Sequence, residues 1–182
     1  MEVGKNKKYT QSARAIAFVG ISAATIECAK LALAFLPNVE VVTLLVALYG
    51  YTFGWLGVLS AVVFVCLEPL IYGINTWVIT YLIYWPLVAL VFMMLRRARV
   101  RSRWILTAAA VGLTVVFGVL SSAIDTAIII GINENYFKNL SILYLGGISF
   151  YVVQIVTNAT LFPILFSPLA KKLKIIKRQM KI

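Results

Sequence analysis

Long apolar stretches, separated by short polar breaks, constrain the fold of this sequence more than any other feature. Most are close to the roughly 17 to 25 residues that a helix needs to cross the hydrocarbon core of a bilayer. Hydrophobic side chains make up 62% of the chain and charged ones 13%, whereas a soluble domain has about 45 to 50% and about 25%. We therefore predict an all-α membrane protein with six transmembrane helices, forming one domain over residues 1–182. The predicted segments are Ser12–Leu36, Val39–Phe53, Trp55–Tyr72, Trp77–Leu95, Trp104–Ile130 and Leu140–Leu169.

Most of the lysines and arginines lie in three regions: the N-terminal flank (1–11, with Arg14 just beyond it), residues 96–103, and the tail 170–182. Connections rich in these residues stay in the cytoplasm. Six crossings with an internal N-terminus place all three regions on that side, so both termini are predicted to be cytoplasmic. This agreement requires Val39–Phe53 to span the membrane, because a re-entrant segment would destroy the charge split.

Four acidic residues lie within the apolar segments: Glu27, Glu40, Glu68 and Asp125. A charge in the hydrocarbon region costs a few kcal/mol, roughly, so it indicates a functional site by default. In the predicted topology all four fall in the outer half of the membrane, which suggests a polar cavity that opens outward. Two simpler readings stay open: Glu27 neutralises Lys30 at i+3, and Glu40 complements a helix dipole.

Aromatic side chains form a second pattern at the same predicted depth. Trp77, Tyr81 and Trp85 are spaced i, i+4, i+8 and share one helix face, where they could offer rings to a flat ligand. An aromatic belt at the membrane interface is the alternative, but it explains the deeper Trp85 poorly. Tyr72 and Asn75 lie at the predicted mouth.

Polar residues also share a face of the last segment, at Tyr151, Gln154 and Asn158. Such groups need partners in a dry interior, and hydrogen bonding between helices is the alternative to ligand binding.

Small residues recur on one face of the first segment, at Ala13, Ala17, Gly20 and Ala24. Such spacing allows close helix approach, and periodicity alone favours packing inside the protein. The chain has no histidine and a single aspartate, which excludes histidine-based metal sites and catalytic couples and an aspartyl pair. We therefore predict no enzyme activity, no catalytic residues, no metal and no cofactor.

Several short motifs together resemble the substrate-binding S component of an energy-coupling factor (ECF) vitamin transporter. They are Pro37-Asn38-Val39-Glu40, the stretch Tyr72-Gly73…Trp77…Tyr81…Trp85-Pro86, and Ala13-x-x-x-Ala17. The likeness, which includes six helices and a basic loop after the fourth, covers nearly the whole chain. It implies a prokaryotic plasma-membrane protein that captures a vitamin or related ring-containing micronutrient from outside. It also implies a transmembrane coupling subunit and two cytoplasmic ATPase subunits as partners.

The resemblance also implies roles for individual residues. The docking face for the coupling subunit would be Ala13, Ala17, Gly20 and Ala24, although the second small pair departs from the family's alanine pair. Glu68 joins the substrate site on predicted depth alone. Riboflavin, cobalamin, a pyridoxine-like and a thiamin-like ligand all stay possible, and the alternatives to this function are a stand-alone proton- or cation-coupled carrier and a structural scaffold. The substrate-binding candidates are Asn38, Glu40, Glu68, Asn75, Trp77, Tyr81, Trp85, Asp125, Tyr151, Gln154 and Asn158.

Overall fold

The computed structural model describes residues 2–181, with side chains from Ser12 onward. Across that range the chain is helical and contains no β-strand. Two π-helical turns, Thr126–Ile130 and Phe162–Phe166, interrupt the α-helices. The α-helices are α1 (Glu2–Ala32), α2 (Val42–Phe53), α3 (Trp55–Tyr72), α4 (Thr76–Arg97), α5 (Arg103–Asp125), α6 (Tyr136–Gly146), α7 (Ile148–Leu161) and α8 (Ser167–Met180).

The described residues contain five helical stretches that are long and apolar enough to cross a membrane: Ser12–Ala32, Trp55–Tyr72, Thr76–Arg97, Arg103–Ile130 and Ile148–Met180. Large apolar side chains cover their outer faces. On α4, for example, Ile79, Leu82 and Ile83 are exposed, whereas Tyr84 and Trp85 are buried. A surface of this kind suits lipid and not water, so the chain is an all-α, multi-pass membrane protein.

Helix α2 lies at the centre of the bundle. All of its residues except Leu45 are buried, and it packs against α1, α3, α4 and α8. A helix that is apolar on every side suits either a protein core or a bilayer, and here the neighbouring helices cover it. Its 12 residues extend only about 18 Å, which is less than the roughly 30 Å of the hydrocarbon core. Helix α2 begins at Val42, three residues later than predicted, and the crossing of the membrane by this segment stays a prediction.

Two glycines allow the backbones around α2 to meet. A Cβ atom on Gly50 would lie 2.2 Å from the carbonyl oxygen of Ala89 on α4. On α3, a Cβ on Gly57 would lie 2.3 Å from the carbonyl of Tyr49. The turn between α2 and α3 also needs a glycine, because Gly54 has a φ of +66° that side chains disfavour. These contacts fix the tight α2–α3 hairpin that the sequence predicts.

The predicted boundaries of the third, fourth and fifth segments are confirmed closely, but those of the first and last are wrong. Helix α1 ends at Ala32, and the chain continues through tight turns to Pro37, because a residue before proline disfavours helical geometry. The last segment is not one helix from Leu140 to Leu169. It breaks at Gly147, where a Cβ atom would meet the Tyr151 ring, and it bulges into a π-turn at Pro163, which lacks a backbone N–H. Residues 170–180 of the predicted tail are helical, within α8.

We expect Gly50→Ala to destabilise the protein, because the added methyl group overlaps the Ala89 carbonyl. Overpacking of this kind costs about 1 to 3 kcal/mol. Gly112→Ala is the matched control, since Gly112 also lies inside a long helix and nothing is within 4 Å of its added Cβ. There the change should be neutral or stabilising by up to about 1 kcal/mol. Thermal unfolding in detergent measures both, and equal midpoints would contradict the close approach of α2 and α4.

Candidate ligand-binding site

A small cavity lies beside the N-terminal end of α2, between helices α1, α3, α4, α5 and α7. Its volume is about 70 Å³, which holds a few water molecules but is well below the roughly 300 Å³ that a drug-sized ligand needs. A ligand of vitamin size therefore requires the walls to move apart. The lining residues are Lys30, Glu40, Val42, Thr43, Phe64, Tyr81, Tyr84, Trp85, Thr114, Phe117 and Gln154.

One wall of the cavity is aromatic. Tyr84 and Phe117 have ring centroids 4.8 Å apart, and Tyr81 and Trp85 lie 5.5 Å apart. Phe64 contacts the edge of Trp85 from α3 at 6.2 Å. Aromatic pairs at these distances and angles attract each other through their quadrupoles, so the wall is a preformed apolar surface with ring edges and faces.

Glu40 forms the polar corner of the same cavity. Its Oε2 accepts a hydrogen bond from the Thr43 backbone N–H at 2.8 Å, and its Oε1 accepts one from the Thr43 hydroxyl at 2.6 Å. The interpretation of Glu40 as a helix-terminus carboxylate is thus confirmed. The fully buried Asn158 on α7 also donates to Glu40 Oε1, at 3.0 Å, and to Thr114 Oγ1 on α5, at 3.1 Å. Glu40, in the connection between α1 and α2, is therefore bonded to α2 and α7, and Asn158 extends this network to α5.

Lys30 belongs to the cavity and pairs with Glu68 of α3. The ammonium donates to both carboxylate oxygens, at 2.6 Å and 2.5 Å, and lies 4.1 Å from the ring centre of Tyr72. The idea that Glu27 neutralises Lys30 is therefore wrong, because α3 packs on α1 and presents Glu68 to the lysine. Glu27 instead accepts a long hydrogen bond from the Tyr72 hydroxyl, at 3.4 Å.

The aromatic series on α4 is continuous but not stacked face to face. Trp77 contacts Tyr81 at 5.1 Å and Tyr81 contacts Trp85 at 5.5 Å, with ring planes at 67° and 83°. Trp85 is only 5% exposed, so a membrane-interface belt does not account for it. Its indole N–H is buried without a hydrogen-bond partner among the described residues.

The structure brings some of the predicted substrate-binding residues together and separates others. Four of them line the cavity. Two more contact lining residues: Asn158 donates a hydrogen bond to Glu40, and Glu68 pairs with Lys30. The four are Glu40, Tyr81, Trp85 and Gln154.

The other five lie outside the cavity lining: Asn38, Asn75, Trp77, Asp125 and Tyr151. Asn75 caps α4, accepting a hydrogen bond from the Thr76 N–H at 2.6 Å. Tyr151 stacks on Tyr144 at 5.3 Å. A substrate-binding role for these five stays a prediction from the sequence.

Sequence reasoning missed several lining residues, above all Thr114 and Phe117 on α5. A usable signal existed for α5, because small and polar residues recur along one buried stripe of that helix and mark its inner face: Thr107, Ala110, Thr114, Gly118 and Ser122. Lys30 was noticed but assigned the wrong partner. The remaining missed residues are Val42, Thr43, Phe64 and Tyr84.

The small-residue face of α1 points away from the protein. Ala13, Ala17, Gly20 and Ala24 are all exposed, and nothing lies within 4 Å of a Cβ built on Gly20. The expectation that this face packs internally is wrong, because α1 contacts the bundle through its opposite side. That side consists of Phe18, Ser22, Ala23, Ile26 and Glu27.

Comparisons of the chain with protein-family models, curated proteins and solved structures find no match.

The Lys30–Glu68 pair yields a stability prediction. Lys30→Met leaves Glu68, which is 1% exposed, without its cation, and breaking a buried pair in this way costs about 3 to 5 kcal/mol. Glu68→Gln should cost less, because Lys30 is 27% exposed and its flexible side chain can turn away from the neutral amide.

The double variant Lys30→Met/Glu68→Leu removes both charges and should recover most of the stability lost in Lys30→Met. Equilibrium unfolding in mixed micelles measures the three variants. A double variant that is no more stable than Lys30→Met would contradict a direct pair. Glu134→Gln, on the exposed loop before α6, is the control and should change little.

Proposed function

We propose that this chain is the substrate-specific S component of an ECF-type transporter and binds a ring-containing vitamin or related micronutrient from outside the cell. The observation that carries the proposal is the cavity in which the Glu40 carboxylate, held by Asn158, adjoins the rings of Tyr81, Tyr84, Trp85 and Phe117. A flat heterocycle with hydrogen-bonding substituents is the ligand that such a surface suits.

The cavity contains few polar groups, and each has a definite use in recognition. The Glu40 carboxylate accepts hydrogen bonds, the Gln154 amide both donates and accepts, and the buried indole N–H of Trp85 has no partner among the described residues. Pockets of small-molecule receptors combine a mostly apolar lining with a few such groups. This composition does not distinguish riboflavin, cobalamin, pyridoxine-like and thiamin-like ligands.

The proposal includes an orientation and a set of partners. In it α2 counts as the sixth crossing, both termini are cytoplasmic, and the membrane is the plasma membrane of a prokaryote. The exposed small-residue face of α1 docks on a transmembrane coupling subunit, which two cytoplasmic ATPase subunits drive. The chain itself has no catalytic role and no resident cofactor.

A stand-alone proton- or cation-coupled carrier is the second candidate, and the buried Lys30–Glu68 pair favours it. Ionisable groups within membrane segments are typical of proton and ion pathways. Proteoliposomes that contain only this chain distinguish the two candidates. Sustained uptake driven by a proton or sodium gradient would support the carrier, whereas binding without turnover would support the S component.

We predict that Tyr81→Leu weakens ligand binding about tenfold, because it removes an aromatic contact and part of the apolar wall. Native mass spectrometry of protein purified without added ligand first identifies the retained compound, and equilibrium titration then measures its affinity. Tyr144→Leu is the matched control, since Tyr144 is also half-buried but lies outside the cavity. Equal ligand affinities in the two variants and the unmodified protein would show that the aromatic wall does not bind the ligand.

We predict that Ala17→Trp abolishes ATP-driven uptake by the full transporter and leaves ligand affinity of the isolated chain within about twofold. Ala17 is exposed on α1 and distant from the cavity lining, so the bulky ring obstructs close helix approach only. Thr25→Trp is the control, because Thr25 is also exposed on α1 but is not spaced i, i+3 or i+4 from any member of the small-residue face. Normal uptake by Ala17→Trp would show that this face is not the docking surface.

A further inference from the structure

A second cavity lies at the C-terminal end of α2, whereas Glu40 lies at the N-terminal end of that helix. Its volume is about 460 Å³, large enough for a polar headgroup. The lining residues are Gly50, Tyr51, Thr52, Gly54, Met93, Arg96, Arg97, Lys174, Lys177, Arg178 and Lys181.

The charges around this second cavity are all positive. A neighbouring cavity shares Tyr51 and Lys174 with it and adds Arg101 and Lys171. None of the acidic residues with described side chains lines either cavity. A solvated basic face would spread its charges over the surface, whereas here residues of α4 and α8 converge on one space and repel each other. An anion placed there would relieve that repulsion.

Neutral groups, and not carboxylates, hold these cations in position. Lys177 donates to the Thr52 carbonyl at 3.0 Å and lies 5.7 Å from the ring centre of Phe53. The Arg96 guanidinium lies 5.4 Å from the ring centre of Tyr51, whose hydroxyl is bonded to the Val100 carbonyl at 2.7 Å. These neutral groups position Lys177 and Arg96, and no carboxylate with a described side chain pairs with either cation.

A buried hydroxyl in the same lining provides an independent observation. Thr52 is 8% exposed, and its Oγ1 is buried with no hydrogen-bond partner among the described residues. A buried polar atom without a partner costs free energy that a bound group can recover. Phosphate oxygens accept hydrogen bonds from hydroxyl, ammonium and guanidinium donors alike.

The surroundings of the cavity are apolar and lie at one end of the membrane-crossing helices. Exposed Trp55 and Met94 directly follow the lining residues Gly54 and Met93, and tryptophan is typical of the membrane interface. On α8 the exposed Ile175 and Ile176 alternate with cations, as in helices that lie on a membrane surface. A phosphate that reaches this cavity from the lipid layer would leave its acyl chains against these side chains.

We infer that this basic cavity binds the phosphate group of an anionic phospholipid through Arg96, Lys177 and Arg178, with the Thr52 hydroxyl as an additional donor. Basic pockets between transmembrane helices bind such headgroups. The inference does not use the transport function, so it holds or fails separately from it.

The test is a titration of the purified, detergent-solubilised chain, followed by native mass spectrometry, with three probes. These are dioleoylphosphatidylglycerol, dioleoylphosphatidylcholine and the soluble glycerol 3-phosphate. We expect phosphatidylglycerol to bind at least tenfold more tightly than the other two. Equal affinity for the two lipids would show that the cavity does not select an anion. Glycerol 3-phosphate binding as tightly as phosphatidylglycerol would show that the site binds a free phosphate compound and not a lipid.

Matched charge removals locate the site. Arg96→Gln/Arg178→Gln removes two cations from the lining and should weaken phosphatidylglycerol binding about 30-fold, which is about 2 kcal/mol. Arg99→Gln/Arg103→Gln removes the same charge from residues that line neither cavity and should weaken it no more than about threefold. Similar losses in both double variants would mean a diffuse surface effect and would overturn the inference.

Thr52→Val keeps the shape of the side chain but removes the hydroxyl donor. It should weaken phosphatidylglycerol binding about fivefold while thermal unfolding without lipid stays unchanged or improves, because the unpartnered group is gone. Unchanged lipid affinity in this variant would exclude Thr52 from the site. A lower unfolding temperature without lipid would show that the hydroxyl already has a structural partner and would likewise overturn its assignment.

Discussion

The complete enclosure of α2 is the constraint on which the rest of this structure depends. Its 12 residues extend only about 18 Å, less than the roughly 30 Å of the hydrocarbon core, so a crossing at this place has to include the connections at both ends of the helix. The contact of Gly50 with the Ala89 backbone brings α4 against it, and the Gly57 contact holds α3 there. Because α2 is short, space remains beyond each of its ends, and each of the two principal cavities occupies one of those spaces.

A carboxylate lies at one end of α2 and a lysine at the other, and the direction of the helix dipole favours both. The N-terminus of a helix carries a partial positive charge and its C-terminus a partial negative charge. Glu40 accepts hydrogen bonds at the N-terminal end, through Thr43, while Lys177 donates to the Thr52 carbonyl at the C-terminal end. In a low-dielectric surrounding these interactions are stronger than in water. The helix that organises the fold therefore also favours the position of one charged residue at each cavity.

The sequence predicted the helix pattern well, since apolar stretches of membrane-spanning length report directly on helices. It predicted less about which side chains meet. Glu27 and Lys30 satisfy the i, i+3 rule, yet Lys30 pairs with Glu68, because the packing of α1 on α3 decides the pair and leaves no trace in local spacing. Gly147 and Pro163 disrupt the last segment through contacts and missing donors that periodicity does not report.

In the candidate site, too, the sequence predicts single conspicuous residues but not the contacts that depend on helix packing. Glu40, Tyr81, Trp85 and Gln154 were found because acids, rings and amides are conspicuous within apolar segments. Thr114 was not, because a threonine in a membrane helix usually bonds its own backbone, as this one does to the Ala110 carbonyl at 3.0 Å. Its second role, as acceptor for Asn158, exists only once α5 and α7 are packed together.

The small volume of the cavity beside Glu40 bears on how a ligand would enter it. The aromatic wall belongs mainly to α4, which the Gly50 contact ties to the central helix, so that wall cannot move without disturbing the core. Gln154 and Asn158 lie on α7, which is bounded by the Gly147 break and the π-turn at Pro163. Helix interruptions of this kind are frequent at functional sites. Widening of the cavity is therefore expected through displacement of α7, with the Asn158–Glu40 hydrogen bond as the contact that has to yield first.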